Sequence, residues 1–392
     1  MEAPSKPLRG VRVLELARTL AGPWMGQILA DMGADVVKVE RSRVGDETRG
    51  WGPPFVKDDT GESLFSAYFQ ACNHGKRSIE ADFADPQGQE LIRRLAANAD
   101  IVIENFRVGT LARYRLNAEV MVSDNPRLIW CSISGFGQTG PYAQRAAYDF
   151  IIQAIGGLLS LNGSAESGPR SVPLPVSDLF AGLYGAIAAL AALNRRHQTG
   201  MGTIVDLSLL DTQISAITQP IIGHILGDQI PGRHPYAEIV PKMVIATADG
   251  SVALVIASDR QFDRLVGSLG CVTLAQDKRF HDNDARCANL QDLAGELALL
   301  FRDISTSELV TRLAGLGVPV GPVNSLQDLV SDPHLQERQM FVRIPSPNGC
   351  STAALAVRMP VLFDGQAALP ESSAPRLGEH TFDVLSDPRW GG

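Results

Sequence analysis

Five short runs rich in Val, Ile and Leu constrain this chain most: residues 11–16, 35–40, 100–104, 128–134 and 203–208. Each is near-continuously apolar rather than alternating. A strand that is apolar on both faces must be covered on both, and helices flanking a parallel sheet provide that cover. The intervening residues 23–32, 86–99 and 148–160 carry helical patterns, and residues 79–82 make a further short strand. The first forty residues therefore form a βαβ unit, and the expected fold class is α/β with a mostly parallel sheet. Ordinary helix signals frame it: Asp85-Pro86 as N-cap and first helical residue, and Gly200 closing the helix that ends in Arg195-Arg196.

At 392 residues the chain is about two to three times a typical domain, so a second domain is expected. Residues 1–217 hold the large α/β domain, and the pattern breaks into Pro, Gly and His over a linker at 218–242. Residues 243–317 form a smaller α+β domain. Residues 318–392 have too little core to stand alone and are expected to return to the large domain. The loop at 45–61 is long and rich in Gly, Pro and charge, which in a compact domain points to function or to an oligomer contact.

Several functions are excluded early. The net charge of −8 and the lack of any Lys/Arg run speak against nucleic acid as a partner. Five scattered cysteines without a CxxC pair speak against a disulfide framework or a structural zinc, so no metal is expected. Cys131, inside an apolar run, is expected to be a buried small hydrophobe. The N-terminus lacks a signal pattern, and the Ala-rich helix at 179–193 reads as a core helix too short to span a bilayer. Hence no membrane is expected and the cytoplasm is the expected compartment.

Four segments could carry chemistry. The first βα turn, Leu16-Ala17-Arg18-Thr19-Leu20-Ala21-Gly22-Pro23, lacks the GxGxxG glycines that cradle a dinucleotide pyrophosphate, although helix amides there can still attract an anion. Lys76-Arg77 sit in a loop where two cations serve equally well as a phosphate clamp or as a solvated surface. Asn105 and Phe106 follow a strand at the carboxyl end of the sheet, where open α/β folds bind ligands. Asp178 sits in Ser177-Asp178-Leu179-Phe180-Ala181-Gly182 at an N-cap-like position. Local pattern alone makes it a cap, while its chemistry also allows a carboxylate nucleophile toward a thioester. No GxSxG, HExxH or P-loop is present, and His234 in the linker is the best placed histidine.

Taken together, these residues resemble the class III CoA-transferases, the family of formyl-CoA transferase and relatives of the α-methylacyl-CoA racemases. The resemblance rests on Leu20-Ala21-Gly22-Pro23, Gly33-Ala34-Asp35-Val36-Val37-Lys38-Val39-Glu40, Gly45-Asp46, Lys76-Arg77-Ser78 and Glu104-Asn105-Phe106. It continues through Ser134-Gly135-Phe136-Gly137, Tyr148-Asp149, Asp178 with Gly182, Gly321-Pro322-Val323 and Leu377-Gly378-Glu379-His380. It implies a Rossmann-like large domain and an interlocked homodimer. It places Asp178 on the family's nucleophile, carrying first the acyl group as an anhydride and then CoA as a thioester. CoA is then a co-substrate with no tightly bound cofactor. Arg41, Lys76, Asn105, Phe106 and Arg113 would surround it, with Leu20 and Ala21 beside the thioester.

Leu20 stands where formyl-CoA transferase has glutamine, and the glycine-rich flap of that enzyme is missing, which points away from formyl and oxalyl substrates. Tyr148 stands where the racemases have histidine, which favours transfer over racemisation. The closest likeness is to enzymes using succinyl-CoA and a dicarboxylate such as glutarate, itaconate, mesaconate or malate. Arg18, Arg145, Arg233 and His234 are the candidates for the substrate's carboxylate. An acyl-CoA racemase and a non-catalytic CoA-binding protein remain as alternatives.

Overall fold

The first strand shows why the sheet is covered on both sides. In β1 (Arg12–Glu15), Val13 and Leu14 are both fully buried and, as strand neighbours, face opposite ways. Val13 belongs to a core with Met25 and Leu29 of α1 (Ala21–Asp31), and Leu14 to one with Ile92 and Leu95 of α2 (Pro86–Asn98). Val36 and Val37 in β2 (Asp35–Glu40) divide in the same way. The computed structural model describes residues 6–164, 166–227, 239–347, 350 and 354–392.

With β3 (Arg77–Glu80), β4 (Ile101–Glu104), β5 (Ile129–Ser134) and β6 (Thr203–Ser208), the sheet has six parallel strands in the order β6-β5-β4-β1-β2-β3. The winding direction reverses between β1 and β4. In such sheets the crevice outside the carboxyl ends at that reversal is where ligands bind. β3 lies two residues earlier than residues 79–82, because Arg77 pairs with Val37 and its guanidinium is held by both oxygens of Asp35 at 2.9 and 2.6 Å. Cys131 is buried as expected, and burial pushes its thiol up to about 12.

The helical pattern at 148–160 is two helices, α3 (Asp149–Ile155) and a short turn at Leu158–Leu161. Gly157 interrupts them in the left-handed region, with φ +80°. α4 (Val176–Thr199) has 24 residues, longer than residues 179–193, and its length and composition are those of a helix able to cross a membrane. Its face of Ala181, Ala186, Ala189 and Leu193 is nevertheless buried in the core with α1. Gly182 makes this close approach possible: a Cβ there would meet Trp24 at 2.8 Å and the Ala21 carbonyl at 2.9 Å. The small residues thus bring the start of α4 against the start of α1.

The chain divides into two units. The first comprises the chain up to Asn162, Arg170–Leu226 and His334–Gly392. The C-terminal segment adds to it through His380 N–H, which donates to the Ser78 carbonyl at 2.9 Å, and through Trp390 Nε1, which donates to Asp35 at 3.0 Å. The second unit comprises Gly163–Pro169 and Gly227–Pro333. It holds the antiparallel strands β7 (Lys242–Ala246), β8 (Ser251–Val255) and β9 (Val320–Pro322), with Phe262, Leu297 and Leu309 among its core residues.

Three assignments differ from those read in the sequence, the first being Gly163–Pro169, which falls within 1–217 but belongs to the second unit. Residues Thr218–Gly227, placed in a linker at 218–242, are helical. The small unit extends past residue 317, because Val320, Gly321 and Pro322 pair with β8 and complete its sheet.

Candidate active site

The site begins with a strained turn. Thr19, between β1 and α1, has φ +68°, a left-handed conformation that a β-branched residue adopts only when its surroundings hold it there. Three side chains, from two neighbouring strands and the loops after them, supply the restraint. From β2, Lys38 donates to the Ala17 carbonyl at 2.8 Å. After β2, Asp46 accepts the Thr19 N–H at 3.2 Å. After β4, Asn105 accepts the Arg18 N–H at 2.9 Å and donates to the Arg18 carbonyl at 2.7 Å.

Beneath the turn is a wholly buried charge cluster. Lys38 bonds Glu15 at 2.9 Å and Asp46 at 3.0 Å, and Lys76 bonds Glu15 at 2.7 Å, the Pro23 carbonyl at 2.8 Å and Asn73 at 3.0 Å. Burial alone would lower Lys38, but the surrounding Glu15, Asp46 and Glu40 hold it above its ordinary value. Burial lowers Lys76, with Glu15 opposing.

The held turn leaves the N-terminus of α1 uncapped. No side chain caps it, and the N–H groups of Leu20, Ala21 and Gly22 make no hydrogen bond among the described residues. Such free amides, at the positive end of a helix, suit a developing negative charge. Leu20 and Ala21 line a cleft of ≈ 340 Å³ whose other walls include Trp51, Arg107, Arg145, Tyr148 and Asp178.

Asp178 is in the first turn of α4, three residues after the N-cap Pro175, and its carboxylate caps nothing. The capping task expected of it falls to Asp149, whose Oδ1 accepts the Ser177 N–H at 2.7 Å. Asp178 makes no hydrogen bond or ion pair among the described residues. Burial, with Asp149 adding like-charge repulsion, pushes its carboxyl up to about 7.

A second cleft of ≈ 280 Å³ opens over the ends of β1 and β2 and is lined by Arg41, Phe83, Phe106 and Tyr114. The Phe83 ring meets Phe106 edge-on at 5.2 Å and lies 6.4 Å from Tyr114. Arg41 is exposed and has no ion-pair partner among the described residues. Arg18, Glu47 and Phe106 line both clefts, so the two adjoin.

The sequence-derived site is therefore partly assembled. Leu20, Ala21, Arg18, Asn105, Phe106, Arg145, Tyr148 and Asp178 line one cleft, and Arg41 with Phe106 the other. Lys76 does not reach either, because Glu15 draws it beneath the sheet. Arg113 is exposed and lines neither; its neighbours Thr110 and Tyr114 do. Asn105 spends its amide on the Arg18 backbone, so it positions the turn. Arg18 is ion-paired to Glu47. Arg233 and His234 lie outside the described residues. Asp149, Trp51 and Arg107 were not singled out; Trp51 lies in the loop whose length had marked it.

This is a doubly wound α/β protein whose Asp178 cleft lies outside the carboxyl ends of β1 and β4, at the winding reversal, and adjoins an aromatic and arginine-lined cleft over β1 and β2. Beside that cleft, an unpaired carboxylate stands near free helix amides, an arrangement suited to a nucleotide-bearing ligand with an electrophilic end. Residues 8–381 match the model of CoA-transferase family III. The chain is 42% identical over 383 residues to a succinate–glutarate CoA-transferase of Agrobacterium fabrum, covering 97% of this chain and 95% of that one. It is 33% identical to the human succinyl-CoA:glutarate CoA-transferase, covering 97% and 86%. A crystal structure of a CaiB/BaiF family protein from Brucella suis superposes with TM-score 0.88 at 41% identity, over 97% of this chain and 99% of that one. The chain belongs to CoA-transferase family III and is a class III CoA-transferase.

Proposed function

We propose that this enzyme exchanges CoA between succinyl-CoA and a short dicarboxylate, glutarate foremost, with Asp178 as the covalent carrier. The unpaired Asp178 carboxylate at the free amides of α1 supports this reading most, and the similarity to glutarate-using relatives supports the acid class. In this mechanism an Asp178 oxygen attacks the thioester carbonyl. The C–S bond breaks, leaving CoA thiolate and an aspartyl–succinyl anhydride. The thiolate then attacks the aspartyl carbonyl, and succinate leaves with the bridging oxygen. The acceptor carboxylate attacks the resulting aspartyl thioester and expels the thiolate, which takes the acceptor's acyl group and returns the Asp178 carboxylate. No net proton is consumed. The N–H groups of Leu20 and Ala21 are suited to stabilise the tetrahedral oxyanions. The nucleotide end of CoA fits the second cleft, with Phe106 for stacking and Arg41 for phosphate.

Incubation with succinyl-CoA and glutarate should yield glutaryl-CoA and succinate in equal amounts; hydrolysis without transfer would contradict the proposal.

The raised Asp178 pKa gives a signed pH dependence. The nucleophile must be ionised, so kcat/KM should fall as pH drops through about 7. Asp149→Asn keeps an acceptor for the Ser177 N–H and removes the neighbouring charge, so the acidic limb should move to lower pH. An unmoved limb in a kcat/KM profile would count against Asp178 as the titrating group.

A homodimer belongs to the same reading, interlocked as the resemblance implies. Phe150, Ile151 and Ile155 on α3 and Leu183 and Ile187 on α4 are exposed apolar side chains that a second copy would cover. Light scattering should return twice the chain mass.

A further inference from the structure

We propose that Arg145 selects dicarboxylates, its guanidinium receiving the far carboxylate of the acid that occupies the Asp178 cleft. This rests on the reading of that cleft as the place where acids enter and leave.

Three arginines line the cleft, and two are already engaged. Arg18 pairs with Glu47 and lies over the Phe106 ring at 5.8 Å. Arg107 donates through Nε and Nη2 to the Gln144 carbonyl at 3.1 and 2.7 Å. Arg145 alone of the three has no side-chain hydrogen bond or ion pair among the described residues. An unpaired cation in a cleft that also holds a carboxylate nucleophile attracts a second negative charge while leaving Asp178 free.

Arg145 is also held ready. Its guanidinium carbon lies 3.8 Å from the Tyr142 ring centroid. Tyr142 is itself fixed edge-on to Phe136, with centroids 5.6 Å apart and planes at 76°. The Arg145 N–H donates to the Tyr142 carbonyl at 2.8 Å, and the Arg107 clamp on Gln144 fixes the preceding residue. One flat face of the guanidinium is thus occupied by the ring, and its N–H edge stays available for the two oxygens of a carboxylate. Stacking on the ring restricts the guanidinium before the acid arrives, so less freedom is lost when the acid binds. A monocarboxylate of equal length would leave the cation unused.

The test is internal competition. Glutarate and pentanoate, equal in chain length, are supplied together with one acyl-CoA donor, and the ratio of glutaryl-CoA to pentanoyl-CoA is read by mass spectrometry. That ratio reports relative kcat/KM and is independent of the amount of folded enzyme. The native chain should favour glutarate. In Arg145→Leu the ratio should fall roughly 10- to 150-fold, as for loss of a hydrogen bond to a charged group. Arg145→Lys should retain part of the preference, and serves if the leucine variant does not fold. An unchanged ratio, equal loss of both products in folded variants, or no glutarate preference in the native chain would overturn the proposal. A covalent CoA adduct on Asp178 accompanied by an unchanged ratio would sink this inference and leave the proposed function standing.

Discussion

Asp178→Asn should lower CoA transfer by at least about 10⁴-fold, the scale seen when a covalent nucleophile is removed. The substitution is nearly isosteric, so the cleft should survive it. It should also leave the protein as stable as the native chain at pH 8, or more so. The sign follows from the direction of the shift. An Asp whose carboxyl is raised in the folded state, from 3.8 to about 7, keeps its proton on folding, so stability falls as pH rises through that interval. Above pH 7 the native chain carries an unpaired, partly buried carboxylate, and Asn removes it. A melting temperature that rises, or holds, while activity disappears would mark Asp178 as a residue kept for chemistry at a cost in stability. If the asparagine variant melted much earlier instead, Asp178 would be a structural group.

The opposite pattern is expected of Lys76. Its side chain is wholly buried and bonds Glu15, Asn73 and the Pro23 carbonyl. Lys76→Met removes one partner of a buried ionic cluster and strips hydrogen bonds from Glu15 and Pro23, for which about 3–5 kcal/mol of destabilisation is the usual scale. The denaturant midpoint should fall accordingly. Glu15→Gln should cost less in the Met variant than in the native chain, since the two residues act through one pair. The folded fraction of Lys76→Met should bind CoA with little change, because the side chain lines neither cleft. A variant of native stability with CoA affinity lost would restore Lys76 to the phosphate-binding role that its loop position suggested.

These two residues show what could be read before folding. The apolar runs located the parallel strands because a strand buried on both faces needs that composition wherever it occurs. The winding reversal, by contrast, is a property of strand order, and no local pattern specifies that β4 rather than β2 lies on the far side of β1. Asn105 was correctly placed at a strand's carboxyl end, but its partner, the Arg18 backbone, is 87 residues away, so its role in holding the turn was not legible. Asp178 looked like a cap for a similar reason: the true cap, Asp149, reaches Ser177 from a different helix, 28 residues earlier. The Lys76-Arg77 pair was open to two readings, phosphate clamp or solvated surface, because two adjacent cations say nothing about Glu15 and Asp35 waiting on β1 and at the start of β2. Residue types carried the chemistry, and only the fold decided which charges were spent on each other.

What is left unspent defines the site. Among the described residues, Asp178, Arg145 and Arg41 keep charges that no side chain answers, and the amides at the start of α1 keep their donors. In the proposed mechanism Asp178 carries CoA as a thioester. The direct measurement is peptide mass spectrometry after incubation with succinyl-CoA alone, quenched in acid. The peptide containing Asp178 should gain the mass of CoA less one water, and hydroxylamine should convert that adduct to the aspartyl hydroxamate. A native chain that transfers CoA to glutarate without any adduct on that peptide, or with the adduct on another carboxylate, would contradict it.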